Sequence, residues 1–110
     1  MSLNGIWKTE MLGPYGWESM ATAFLEDGKY EAASENHYVV GTYEVSGKRI
    51  EMSATGVQHG KARTLFGKKK QQMDLEFKGD IDGDRIRGQT QADKGKLQVA
   101  FRWTRIADLP

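Results

Sequence analysis

Two histidines, His37 and His59, are the side chains best suited to acid–base chemistry at neutral pH. The chain has no cysteine, so one of them would have to activate a serine or threonine nucleophile. Neither lies near a G-x-S-x-G segment. His37 follows a predicted turn and His59 falls in a polar stretch, so we expect both to be exposed and neither to face a cavity. The sequence therefore predicts no catalytic residue, no haem ligand and no enzyme.

The segment DIDGD at residues 80–84 resembles the start of a calcium-binding loop. Such a loop needs glycine at its sixth position and a bidentate glutamate at its twelfth. Here the glycine, Gly83, is fourth and the twelfth residue is Gln91. We therefore interpret the segment as a hairpin, with Asp82-Gly83 predicting a type I′ turn, and expect neither a metal site nor a cofactor.

A basic stretch without any acidic residue runs from residue 52 to residue 73 and contains the longest predicted connection, residues 56–70. One interpretation is a solvated hairpin tip whose apolar pair folds back on the protein. The other is a docking surface for an acidic partner or an anion, because local charge of one sign steers encounters. The candidate partner-binding residues are Lys61, Arg63, Leu65, Phe66, Lys68 and Lys69.

The elements that would position these residues are β-strands, because apolar and polar residues alternate with period two and helical periodicity is almost absent. The clearest alternation covers residues 71–78, and residues 97–104 and 49–55 follow the same pattern. One dry and one wet face per strand is typical of antiparallel sheets. Turn signals divide the chain into eight strands, and glycines 41, 79 and 88 inside strands fit sharp coiling.

Eight strands in hairpin order predict a single all-β domain over residues 1–110, an antiparallel up-and-down barrel without exposed edges. A two-sheet sandwich is the alternative. A barrel of this size is either filled by side chains or holds one small ligand. The side chains that we place inside, as candidate ligand contacts, are Tyr43, Met52, Met73, Leu75, Phe77, Val99 and Phe101.

Composition restricts the class of partner. The formal net charge is +1, far below that of a protein whose main task is to bind nucleic acid. No apolar run approaches the roughly 18 residues of a membrane helix, and the first residues lack the pattern of a secretory signal. We expect a cytoplasmic protein that binds neither nucleic acid nor membranes.

A Gly-x-Trp near the start and arginines near the end resemble the signature of lipocalin and avidin barrels. Gly5 and Trp7 match the motif, and Arg102 and Arg105 are the two candidate partners of the indole. The resemblance implies that the indole closes one end of the barrel and that the arginine packs across it. That role is structural, and a guanidinium does stack well on an indole face.

A broader likeness covers most of the chain. The segments NGIW at 4–7, DGK at 27–29, YVVGTYE at 38–44, GDIDGDRIRG at 79–88 and RIADLP at 105–110 look like the negative-regulator family of type III secretion. This resemblance implies a lipocalin-like barrel that forms a homodimer. It also implies repression by binding a transcriptional activator, without catalysis, and a cavity able to take an apolar molecule.

The sequence thus favours a non-enzymatic binding protein that acts by protein contact, through a small apolar ligand, or through both. One alternative is an enzyme that acts on a hydrophobic small molecule inside the barrel. A purely structural module is the other alternative.

Overall fold

The structure is a computed structural model that describes residues 2–35, 37–58, 72–92 and 95–110. Within these ranges the chain forms eight strands and no helix. The strands are β1 (Gly5–Gly13), β2 (Gly16–Glu26), β3 (Lys29–Ala33), β4 (His37–Ser46), β5 (Arg49–Gln58), β6 (Gln72–Asp82), β7 (Arg85–Ala92) and β8 (Leu97–Ala107).

Each strand pairs antiparallel with the next along the chain, and β8 pairs with β1 to close the barrel. The prediction of an all-β, eight-stranded up-and-down barrel is therefore confirmed. Two strands extend beyond the predicted alternation, since β5 continues past Thr55 to Gln58 and β6 continues past Lys78 to Asp82. No helix among the described residues has the length and apolar character needed to cross a bilayer.

The core lies inside the barrel and follows from the alternation of side chains across each strand. β6 alternates exposed and buried residues along its whole length. Four aromatic rings meet in the interior, with ring centroids 4.9 to 6.4 Å apart, a spacing favourable for aromatic pairs. These rings belong to Tyr30, Phe77, Phe101 and Trp103.

Glycines bring β6 and β7 unusually close together. Gly79 and Gly88 are direct cross-strand partners. A Cβ on Gly88 would lie 1.9 Å from the carbonyl oxygen of Lys78, and one on Gly79 would lie 3.0 Å from the Phe101 ring. Because a side chain at either position would clash with the neighbouring strand or with Phe101, this approach of β6 and β7 depends on glycine.

The hairpin turns differ from the prediction in one respect. The segment at Asp82-Gly83 does form a hairpin, but its central residues are Gly83 and Asp84, and only Gly83 has positive φ. The predicted type I′ turn is therefore wrong at this position, because type I′ needs positive φ at both central residues. Asp27 and Gly28, between β2 and β3, meet that requirement with φ of 50° and 83°.

The ladders on the two sides of β1 each contain one irregularity in pairing. Thr9 and Glu10 of β1 pair with Ala21 and Ser19, so Met20 is an extra residue on β2. On the other side of β1, Ile6 pairs with Ala107 and Trp7 pairs with Arg105, so Ile106 is an extra residue on β8. Extra residues of this kind bend a strand and change which face a side chain occupies.

Candidate functional site

One end of the barrel, here called the closed end, is sealed by Trp7. Its indole is 1% exposed, and Nε1 donates a hydrogen bond of 3.0 Å to the carbonyl oxygen of Leu3. The guanidinium carbon of Arg105 lies 5.7 Å from the centroid of the Trp7 ring, and Nη2 donates to the carbonyl oxygen of Asn4. A Cβ on Gly5 would lie 2.9 Å from Nε of Arg105, so the glycine makes room for the arginine. Of the two candidate arginines, Arg105 is therefore the partner of Trp7.

Arg102 has a different role on the outer surface. Its Nε and Nη2 donate to the two carboxylate oxygens of Glu10 at 3.0 and 3.1 Å, a bidentate pair. Its guanidinium carbon lies 4.2 Å from the centroid of the Trp17 ring. The hydrogen bonds from Arg102 hold the pKa of Glu10 below its ordinary value of 4.5, although desolvation acts in the opposite direction.

The opposite end, here called the cleft end, contains a narrow opening into the core. The opening leaves about 30 Å³ for the centres of water molecules and is lined mostly by apolar side chains. Its lining comprises Thr9, Glu10, Met11, Met20, Ala21, Tyr30, Ala32, Ser34, His37, Tyr38, Val39, Leu75, Phe77 and Trp103.

The opening exists because β3 is short. β3 pairs with β2 only over Thr22–Glu26, so residues 16–21 of β2 have no β3 partner beside them. The extra residue Met20 is half-buried, and both it and Met11 pack against the core where the wall is interrupted. The sequence therefore leaves a gap between β2 and β4 that two methionines partly fill.

The floor of the cleft is aromatic. Tyr30, Phe77 and Trp103 are at most 3% exposed, and the Tyr30 and Trp103 rings stack with centroids 5.1 Å apart. Burial raises the pKa of the Tyr30 hydroxyl far above its ordinary value of 10.0, so this group is neutral at physiological pH. On the wall, Thr9 donates its hydroxyl hydrogen to the carbonyl oxygen of Ala21 at 3.0 Å. The floor therefore offers apolar contact without charge.

A hydroxyl and an imidazole meet at the rim. Ser34 Oγ lies 2.6 Å from His37 Nδ1 and also donates to the His37 carbonyl oxygen at 3.3 Å. The backbone N–H of Ser34 donates to that same carbonyl at 2.9 Å. The expectation that His37 is exposed and faces no cavity is wrong, since the residue is half-buried and lines the cleft. The contacts close the turn between β3 and β4, which accounts for the pair without a chemical step.

The predicted interior residues occupy three kinds of position. Leu75 and Phe77 line the cleft. Val99 is only half-buried, and the others pack in the core without lining the cleft. These are Tyr43, Met52, Met73 and Phe101.

Sequence reasoning missed Met11, Met20 and Val39 at the cleft. Met11 continues the inward alternation that begins at Trp7 and Thr9, so period two contained a signal for it. Met20 carries no such signal, because the extra residue on β2 moves it out of the alternation.

Other predicted site residues cannot be placed in this way. The basic partner-binding set, Lys61, Arg63, Leu65, Phe66, Lys68 and Lys69, lies outside the described residues, as does His59. The segment 80–84 forms the end of β6 and the turn to β7, in agreement with its interpretation as a hairpin. Across the described ranges, no group of three or more His, Asp or Glu side chains is arranged to hold a metal ion.

Comparison with known proteins adds no relative. No family model matches the chain, and no curated protein matches it. The resemblance to the negative-regulator family therefore stays a prediction, and the fold and the cleft provide the basis for a functional proposal.

Proposed function

We propose that this chain is a non-enzymatic, cytoplasmic binding protein that takes a small apolar molecule into the cleft end of its barrel. The observation that carries this proposal is the cleft itself, an opening into a dry aromatic floor. Concave, mostly apolar sites with a few polar groups are the usual form of small-molecule sites. Among the described residues of the lining, Glu10 alone is acidic, and Arg102 already binds its carboxylate.

The size of the cleft limits the ligand. Only about 30 Å³ is open to the centres of water molecules, so a guest larger than a few waters has to displace side chains. Met11 and Met20 are suited to this because methionine is unbranched and adapts to irregular apolar surfaces. A single alkyl chain or one small ring fits these conditions better than a rigid polycyclic molecule.

The test is fluorescence titration with N-phenyl-1-naphthylamine, an apolar probe, on the wild-type protein and two variants. Met20→Trp fills the cleft, and we expect it to weaken binding by about tenfold or more. Thr42→Trp adds the same ring on the exposed outer face of β4 and should leave binding unchanged. Absence of saturable binding to the wild type, or equal binding by both variants, would contradict the proposal.

The protein also forms a homodimer in this proposal. The outer surface of β2 and β4 exposes Phe24 (46%), Tyr38 (40%) and Val40 (44%), and Phe24 and Val40 both pair with Glu31 of β3. Light scattering should give twice the mass of one chain, and Val40→Glu should give single chains. Thr42→Glu, on the same outward face of β4, is the matched control. A wild type that is monomeric at all concentrations would refute the dimer.

The resemblance to the negative-regulator family supports a second function, repression by contact with an activator protein. For the enzymatic alternative, the described residues of the cleft rim offer one hydroxyl–imidazole pair, Ser34 and His37. Ser34→Ala distinguishes ligand binding from catalysis. Binding of an apolar probe should survive this change, whereas turnover by a serine nucleophile should not.

A further inference from the structure

The outer surface of β7, β8, β1 and β2 concentrates positive charge in a nearly neutral protein. Arg85 and Arg87 lie on β7, both exposed, with the buried Ile86 between them. Side chains two residues apart on a strand share a face, so both guanidinium groups face solvent together. We call this surface the arginine face; its residues are Lys8, Trp17, Arg85, Arg87 and Arg102.

The charges on this face are not balanced. Arg87 and Arg102 are directly opposite each other in the β7–β8 ladder, an arrangement in which like charges repel. Glu10 neutralises Arg102, and Lys8 Nζ lies 4.0 Å from the same carboxylate. No carboxylate in the described ranges lies within ion-pair distance of Arg85 or Arg87. Two arginines are thus left available to an external anion.

The face is also concave and carries an aromatic ring. A surface groove of about 410 Å³ is lined by Glu10, Trp17, Arg85, Arg87, Arg102, Trp103 and Thr104. Trp17 is 37% exposed although Arg102 stacks on it, so part of the indole is open to a partner. Exposed tryptophan beside arginine is the composition that protein interfaces favour.

Acidic residues limit the width of this face. Asp80 and Asp82 of β6 are the cross-strand partners of Arg87 and Arg85, and Asp80 is already paired with Arg49 at 2.7 Å. On the other side of Arg85 and Arg87, β1 carries Glu10, whose carboxylate Arg102 holds. From β6 to β1 there are three interstrand spacings, about 14 Å in all. An extended polyanion such as nucleic acid, or an anionic bilayer, would place its charge over the aspartates.

We propose that the arginine face docks a short acidic segment of a partner protein, with carboxylates on Arg85 and Arg87 and an apolar side chain against the open part of Trp17. Charge complementarity selects the partner, and the narrow width selects a short peptide over a long polyanion. The groove shares Glu10 and Trp103 with the cleft, but Trp17, Arg85 and Arg87 line only the groove, so the inference does not depend on the proposed ligand.

The experiment measures fluorescence anisotropy with labelled hexaglutamate as the probe, and with labelled hexaglutamine and oligo(dT) of six nucleotides as companions. We expect saturable binding of hexaglutamate that weakens with added salt, and much weaker binding of both companions. Arg85→Glu with Arg87→Glu should weaken hexaglutamate binding by about tenfold or more. Lys29→Glu with Lys48→Glu makes the same change in net charge at exposed positions elsewhere and should alter binding by less than about threefold.

Three outcomes would overturn the proposal: no saturable binding of hexaglutamate, equal loss in the lysine control pair, or binding of oligo(dT) as tight as that of hexaglutamate. Circular dichroism establishes that each variant is folded. Arg85→Gln with Arg87→Gln, which removes charge without reversing it, provides a second test and should also weaken binding. Met20→Trp should leave hexaglutamate binding unchanged, which distinguishes failure of this proposal from failure of the cleft.

Discussion

The two ends of the barrel are built from the same strands and differ in how β1 and β2 are covered. At the closed end, Trp7 is covered by Leu3 and Arg105, and its indole N–H has a carbonyl partner. At the cleft end, Met11 and Met20 are only half-buried, because β3 does not extend beside residues 16–21 of β2. The closed end is therefore tightly packed, whereas the side chains at the cleft end can rearrange around a ligand.

This difference suggests that stability and binding are assigned to different ends. A large rigid ring with a satisfied polar group specifies one packing arrangement, whereas methionine permits several. Substitutions at the closed end should therefore change the free energy of unfolding, and substitutions at the cleft end should mainly change what the protein binds.

The largest expected effect separates the two ends directly. Trp7→Ala removes a side chain that is 1% exposed, and we expect it to lower the free energy of unfolding by about 3–5 kcal/mol. Met20→Ala removes a half-buried side chain beside existing free volume and should cost about 1 kcal/mol. Urea unfolding of both variants tests the comparison, and equal losses would show that the ends do not differ in this way.

A medium effect concerns the two arginines of β8. Arg105→Lys keeps the charge but loses the planar group that lies over Trp7, and we expect a loss of about 1–2 kcal/mol. Arg102→Lys is the matched change on the outer surface, where the pair with Glu10 is partly solvated, and we expect a loss below about 1 kcal/mol. Thermal unfolding would contradict this order if Arg102→Lys were the more damaging variant.

The smallest effect is a pH dependence outside the closed end. Because Arg102 lowers the pKa of Glu10 in the folded state, the unfolded chain binds more protons there. The stability contributed by this pair is present above the ordinary pKa of 4.5 and is lost as pH falls through the folded-state pKa. Glu10→Gln should flatten the decrease in melting temperature between about pH 5 and pH 2. An unchanged slope in that variant would assign the acid sensitivity to other carboxylates.

Period two and turn residues were enough to predict the barrel. Strict alternation in β6 and short glycine-containing turns fix the number and order of the strands, because these are local properties of the chain. For the partner of Trp7, the sequence left two candidates, Arg102 and Arg105, and did not decide between them. The bulge at Ile106 changes the register between β1 and β8, and no local pattern reveals it.

The cleft was largely beyond sequence reasoning. It results from a difference in strand length between β2 and β3 together with the extra residue Met20. The contact between Ser34 and His37 was missed because it depends on the geometry of one turn. Such features are set by three-dimensional register, whereas composition and alternation report only which face of a strand is dry.

The seam between β1 and β8 has a consequence for how the chain reaches its native state. Its central ion pair joins residues 92 positions apart, Glu10 and Arg102, so the seam cannot form until nearly the whole chain has been synthesised. Long-range pairing of this kind slows folding, and we expect refolding in milliseconds to seconds. Until β8 docks, β1 and β7 each present an unpaired edge, the situation in which β-proteins are most prone to aggregate.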